Sequence, residues 1–253
     1  MNHVFGGVFG RRAAGAEGSD LAKADGEGPL HVLLGTPITL SPGAGQADAL
    51  FGCGCFWGAE KGFWRLPGVL TTAVGYAGGQ LERPSYQQVC SGRTGHAEVV
   101  RVVWDQALID FSDLLKLFWE CHDPTQGDGQ GNDRGSQYRS ALYVDDPALL
   151  AQAEASRQAY QTVLNAAGYG PITTEIGSGR PFWFAEPYHQ QYLAKPGSRP
   201  YCSAQPSGRR LGDFPGAHYR LDPRVWDCYD WSVSHCILRG DNTPIRLASP
   251  STT

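Results

Sequence analysis

Methionine is almost absent, with Met1 the single instance among 253 residues. Two readings stay open: drift in an Ala-, Gly- and Arg-rich composition, or exposure to oxidants, which convert methionine to its sulfoxide. Long apolar runs are missing too. None approaches the roughly 18 residues a membrane span needs, which predicts a soluble protein. Positive charge is not in excess, since charged residues make up 18% and the formal net charge is −4. That leaves no basic footprint for nucleic acid or an acidic membrane. A structural disulfide framework is also unexpected. The cysteines number seven, an odd count, in a chain that is not small and opens with no signal-peptide pattern. The expectation is a reducing, cytoplasmic setting with a few functional thiols. Arg11-Arg12 keeps an organelle address open, but Glu17, Asp20, Asp25 and Glu27 are more acid than transit peptides carry.

What is present falls into three zones. Residues 1–47 are rich in Gly, Ala and polar residues and read as a flexible N-terminal extension, ending in an extended segment at His31-Val32-Leu33-Leu34. Residues 48–195 hold nearly all the periodic pattern. Residues 196–253 are Pro-, Ser- and Arg-rich coil, least structured after Gly216. In the central zone, Ala49-Leu50-Phe51-Gly52 reads as a buried strand and Phe56 to Arg65 as a helix. Strands are expected over Val69 to Tyr76, Ala97 to Trp104, Tyr138 to Val144 and Ile172 to Ile176. Phe111 to Cys121 has helical spacing, and Pro147 to Ala167, opened by Asp145-Asp146-Pro147 and closed by Gly168, is the clearest helix. No crossover helix is evident between Gly78 and Gly95. The expected fold is therefore α+β: a two-layer sandwich of a mixed β-sheet with packed helices, followed by a long coil C-terminal region.

The sharpest local feature is Gly54-Cys55-Phe56-Trp57-Gly58. A cysteine where a strand stops and a helix starts faces unpaired N–H groups and the positive end of the helix dipole. That environment favours the thiolate and points to redox or nucleophilic chemistry. The bland alternative is a small core cysteine, and for Phe56 and Trp57 it is a helix's core face. Glu98, opening a valine-filled strand, reads locally as a solvated edge carboxylate. Tyr86 and Tyr138 read locally as core tyrosines with satisfied hydroxyls.

These residues sit in blocks that resemble the peptide methionine sulfoxide reductase A family. The blocks are Gly54-Cys55-Phe56-Trp57-Gly58, Gly75-Tyr76-Ala77-Gly78-Gly79, Gly95-His96-Ala97-Glu98, Gln130-Gly131-Asn132-Asp133-Arg134-Gly135-Ser136-Gln137-Tyr138-Arg139-Ser140 and His189-Gln190-Gln191-Tyr192-Leu193. The likeness runs from about Ala49 to Cys202 and makes residues 48–195 the expected catalytic domain. It implies an oxidoreductase that repairs methionine-S-sulfoxide, free or in oxidised proteins. Cys55 would attack the sulfoxide sulfur and become a sulfenic acid. Glu98 would protonate the oxygen, Tyr86 and Tyr138 would hydrogen-bond it, and Asp133 would support that site. Phe56 and Trp57 would cage the methyl group.

The same resemblance implies that Cys202 resolves the sulfenic acid as a disulfide, on a segment that looks mobile. Here the chain departs from the many relatives with a Gly-rich run after this cysteine, having Ser203-Ala204-Gln205-Pro206-Ser207-Gly208 instead. Cys228 or Cys236 could act in place of Cys202 or after it, or be incidental. No bound cofactor is implied. The electron donor would be thioredoxin or another dithiol, and the protein a monomer. A metal is not expected, because His218, Cys228, His235 and Cys236 match no familiar zinc spacing. Cys53, Cys90 and Cys121 read as buried core. Two other functions share a reactive Cys55: a peroxide-reducing thiol enzyme and a non-enzymatic redox switch pairing Cys55 with Cys202.

Overall fold

The structure is a computed structural model in which residues 28–234, 237 and 239–247 are described. Along the chain come β1 (Gln46–Cys53), α1 (Phe56–Trp64), β2 (Val69–Ala77), α2 (Tyr86–Cys90), β3 (Ala97–Asp105) and α3 (Phe111–Cys121). Then follow β4 (Gly129–Gln130), β5 (Asp133–Arg134), β6 (Ser140–Tyr143), α4 (Pro147–Ala166), β7 (Glu175–Gly177) and β8 (Trp183–Phe184). Six strands form one mixed sheet in the order β7-β6-β1-β3-β2-β8, antiparallel except for the β6–β7 pair. This is the α+β architecture expected from the sequence. β4 and β5 make a separate small hairpin.

Side-chain alternation sorts the central strands between two faces. Ala49, Phe51 and Cys53 of β1 and Val100, Val102 and Trp104 of β3 join the main core with the helices. Leu50 of β1 and Ala97 and Val99 of β3 pack on the opposite face. Phe63 of α1, Leu117 and Phe118 of α3 and Tyr160 of α4 complete the main core. α3 is fixed by a capping box, in which Asp110 accepts from Ser112 N–H and Asp113 accepts from Asp110 N–H. α4 begins with Pro147 at its first turn and Asp146 as its N-cap.

Several expectations change. The His31–Leu34 stretch is a turn rather than an extended segment, because His31 Nδ1 accepts the N–H groups of Leu33 and Leu34. His31 and Ile38 are buried, so residues 28–40 are packed on the domain. The last predicted strand shifts to β7, since Thr173 gives both its N–H and its hydroxyl to Pro124 O instead of the sheet. α2 appears between Gly78 and Gly95 as a short helix with a Ser85–Gln88 capping box. β8 is an added edge strand.

The largest difference is the tail. Leu211, Phe214, Leu221, Val225, Trp226, Tyr229, Trp231, Ile237 and Ile245 are buried in the main core. These apolar residues follow no single period, so they leave no helix or strand pattern in the sequence apart from a short 3₁₀ turn at Pro223–Cys228. Helix-borne polar groups hold the coil. Asp113 accepts the N–H groups of Arg220 and Leu221, Glu120 accepts that of Leu211, and Ser112 Oγ accepts that of His218. Further on, Lys61, Trp64 and Arg65 of the α1 region donate to the carbonyls of Gly240, Asn242 and Thr243. Asp113→Ala strips an acceptor from the N–H groups of Asp110, Arg220 and Leu221. The variant is expected to lose about 2–4 kcal/mol of stability, read as a lower urea midpoint; an unchanged midpoint would detach the tail from this anchor.

Candidate active site

β1 ends at Cys53, and Gly54 reverses the chain into α1 with φ 86°, a conformation that suits glycine. A side chain there would also strike Gln130, whose Cβ lies 2.6 Å from the position a Gly54 Cβ would take. Cys55 follows as the α1 N-cap, without a side-chain capping bond. The first free N–H of the helix, that of Phe56, goes elsewhere, donating to Glu98 Oε2 at 3.1 Å. Glu98 is in phase with Val100, Val102 and Trp104, so the alternation that fills the helix-facing core carries its carboxylate there too. It is 2% exposed.

That arrangement reverses one expectation. The Cys55 thiol is pushed well above the ordinary thiol range, first by burial and then by the Glu98 carboxylate. The Trp57 N–H pulls it back only in part. Burial outweighs the helix dipole, whose nearest N–H is already donated to the Glu98 carboxyl. Glu98 itself is pushed up to about 8, by burial foremost, with the Phe56 N–H opposing. Near neutrality it is a carboxylic acid.

Tyr86, Tyr138 and Asp133 gather around this pair. Burial raises both tyrosine hydroxyls, and the Glu98 charge adds to it in each case. Tyr86 is placed by α2, where its N–H donates to Glu186 Oε1 at 2.8 Å. Tyr138 ends a 3₁₀ turn at Ser136–Tyr138 just before β6. Asp133, in the β4–β5 hairpin, accepts from the Tyr201 hydroxyl at 2.5 Å. Its other oxygen, Oδ2, is buried without a hydrogen-bond partner among the described residues. The site thus joins a buried thiol, a buried carboxylic acid and phenol hydroxyls, a set suited to protonating an oxygen while a sulfur is attacked.

Aromatic rings close the other side. Phe56 is buried, with its ring 6.0 Å from Tyr76 and 5.2 Å from His189. Trp57 is half-buried and stacks on Tyr192 at 3.9 Å, with Tyr201 edge-on at 6.4 Å. Its indole N–H donates to His189 Nδ1 at 3.1 Å. Burial lowers His189 to about 3, so the ring is neutral.

Cys202 lies on α1 rather than on a mobile segment. A Cβ at Gly58 would stand 2.5 Å from Cys202 Sγ, so glycine, one helical turn beyond Cys55, is what admits the second thiol. Tyr201 is anchored at Asp133, and Gln205 N–H donates to Gln130 Oε1. Burial pushes the Cys202 thiol up to about 12.

A family model described as peptide methionine sulfoxide reductase matches residues 47–212. The chain belongs to the peptide methionine sulfoxide reductase family. It is similar to the peptide methionine sulfoxide reductase MsrA of Azotobacter vinelandii, 58% identical over 70% of this chain and 82% of the relative. It is likewise similar to that of Vibrio vulnificus, 53% identical over 71% and 86%. Among solved structures, methionine sulfoxide reductase A of Corynebacterium diphtheriae superposes with TM-score 0.64 and 43% identity over 72% of this chain and 88% of the other. Family membership makes the chain an enzyme of thiol-dependent methionine sulfoxide reduction.

The remaining thiols divide by position. Cys53 and Cys121 are buried as expected, whereas Cys90 is exposed at the end of α2, because the buried position of that short helix is Val89. Cys228 is exposed, and His235 and Cys236 lie outside the described residues. Among the described residues, Cys53, Cys121 and His122 form one group whose ligand-type atoms lie within 4.8 Å of one another. Both nitrogens of His122 are engaged at 2.7 Å, Nδ1 with Phe118 O and Nε2 with Ser140 Oγ, so the group reads as core packing. Tyr201, His189 and Glu186 are site residues that sequence reasoning did not single out. The His189-Gln190-Gln191 block was the available signal for His189.

Attack and protonation together need one proton on the Cys55–Glu98 pair, a thiolate beside a carboxylic acid. Below the Glu98 pKa both groups carry protons; above it the pair keeps one. First-turnover kcat/KM is therefore expected to rise as pH passes through about 8. In Glu98→Gln the rising limb should move above the ordinary thiol range, and the plateau should drop by about a hundred-fold or more. A limb that stays in place would separate Glu98 from the chemistry.

Proposed function

We propose that the cycle runs through Cys55, Glu98 and Cys202 in that order. The Cys55 thiolate attacks the sulfoxide sulfur while Glu98 protonates the oxygen, with Tyr86 and Tyr138 as further donors and Asp133 holding the site's rear wall through Tyr201. The sulfur–sulfur bond forms as the protonated oxygen leaves as water; water then adds to the Cys55 sulfur, the sulfur–sulfur bond breaks, methionine leaves, and Cys55 becomes a sulfenic acid. The Cys202 thiol then displaces water and forms the Cys55–Cys202 disulfide. Overall, one sulfoxide and two thiols become one thioether, one disulfide and one water. The observation that carries this reading is the buried Glu98 carboxyl sharing the first turn of α1 with Cys55.

Phe56 and Trp57 form the grip on the substrate methyl group, fixed by His189 and Tyr192. The S epimer, free or in oxidised proteins, is the substrate implied by the family resemblance. Residues 48–195 form the catalytic unit, and the segment after them brings the resolving thiol. No bound cofactor enters, because the two electrons come from the thiols. The disulfide left behind calls for a dithiol donor, and thioredoxin is the donor the family resemblance implies. A relay between Cys202 and that donor falls to Cys228 or Cys236. No helix among the described residues is long and apolar enough to cross a membrane, and we place the enzyme in the cytoplasm as a monomer.

A peroxide-reducing enzyme or a redox switch would need neither a buried acid nor an aromatic grip, and this site has both. Assayed with dithiothreitol, the protein should turn over methionine-S-sulfoxide in strong preference to hydrogen peroxide. Cys55→Ser should abolish that turnover, and activity surviving the substitution would refute the scheme. Cys202→Ser should release one methionine per enzyme quickly and then stall with thioredoxin as donor. Gly58→Ala, which crowds the Cys202 sulfur, is expected to spare that first turnover and slow thioredoxin-supported cycling roughly ten-fold. Equal cycling in Gly58→Ala and the unaltered protein would move the resolving role away from Cys202.

A further inference from the structure

Glu60 takes no part in the scheme above, yet it is a fully buried carboxylate on α1, three residues after Trp57. Burying a charge is costly unless hydrogen bonds surround it. Here three donors converge on it. Thr72 Oγ1–H and Gln191 Nε2–H reach Oε1 at 3.0 and 2.7 Å, and Gln191 N–H reaches Oε2 at 2.8 Å. The Thr72 hydroxyl in turn accepts from His31 Nε2 at 2.9 Å. The tautomer follows from the other ring nitrogen, since Nδ1 accepts the N–H groups of Leu33 and Leu34. Burial lowers His31 to about 4, so this relay starts from a neutral ring.

Gln191 is the reason such an arrangement exists. Its backbone is left-handed, at φ 46° and ψ 42°, where a residue with a side chain is strained. It stands between the two residues that hold Trp57: His189 receives the indole N–H, and Tyr192 stacks on the ring. Gln190 is pinned separately, bonding both the N–H and the carbonyl of Val74. The bent turn is thus tied to the sheet by one residue and to α1 by the next.

We propose that Glu60 is a positioning residue for substrate binding: by holding Gln191 in its left-handed turn, it sets His189 and Tyr192 against Trp57. Through Thr72 and His31 it ties the N-terminal residues 28–40 to the same turn. Glu60 acts on the grip and not on the reacting atoms, so its loss weakens binding and spares the chemical step. The proposal rests on the reading of Trp57 as part of the methyl grip.

The test is single-turnover methionine formation against the concentration of a methionine-S-sulfoxide peptide. Glu60→Gln turns an amide against the three donors at nearly unchanged volume. It is expected to raise the half-saturation concentration about ten-fold, with the limiting rate within about two-fold. Adding Gln191→Gly should bring half-saturation back to within about three-fold, because glycine takes the left-handed turn unaided. An unchanged half-saturation, a loss confined to the limiting rate, or a shift that Gln191→Gly leaves in place would each overturn the proposal. If Glu60→Gln does not fold, Thr72→Val removes one of the three donors. It should shift half-saturation about two- to three-fold, and no shift overturns the proposal. Trp57→Phe is run alongside. If it leaves half-saturation unchanged, the grip fails and this proposal with it. If it raises half-saturation while Glu60→Gln does not, the grip stands and only the role of Glu60 falls.

Discussion

One hydrogen bond, from the Phe56 N–H to Glu98, sets the terms for the rest of the site. Glu98 is driven inward by the alternation of β3, into a seam between sheet and helix that offers a carboxylate few partners. The start of α1 supplies the needed donor, with the favourable end of the helix dipole behind it. The same bond takes that donor from Cys55, so acid and thiol compete for one small region of positive potential. Both therefore hold their protons in the resting site, and the reactive arrangement is one proton away.

Glycines before and along α1 decide what comes next to that pair. Gly54 turns the chain so that Cys55 heads the helix, and Gly58 leaves room for the Cys202 sulfur one turn later. A third, Gly62, takes Ile237, and its carbonyl accepts the Tyr229 hydroxyl. The helix is short and smooth along this line, and coil from far down the sequence fills it. Two thiols with raised pKa values are thereby enclosed along one helix without ionising.

Much of this was legible in the sequence, and the gaps have physical causes. β1, β3, α3 and α4 follow from periodicity and capping residues, which act locally. The place of Glu98 was masked because Val99, Val100, Val102 and Val103 make both faces of β3 apolar and hide the period. The thiol shift at Cys55 depends on depth of burial and on a carboxylate 43 positions away in the chain, so a rule for helix starts could not show it. Cys90 was misread because it belongs to a helix too short to display a face. His189, Tyr201 and Glu186 carry no pattern of their own and gain meaning only from what they touch. The tail is the clearest case: its apolar residues meet the core at irregular intervals, and burial without periodicity looks like coil.

The tail's grip on α1 also bears on how the molecule comes into being. Lys61, Trp64 and Arg65 close their hydrogen bonds with carbonyls 178 or 179 residues further along the chain. Such distant contacts make for slow, late steps in folding. On a ribosome, the helix headed by Cys55 is made early, but its outer face is covered only after residue 243 has emerged. The thiol that packs at Gly58 arrives before that cover, at residue 202, so the two cysteines can meet while the far end of the helix is still bare.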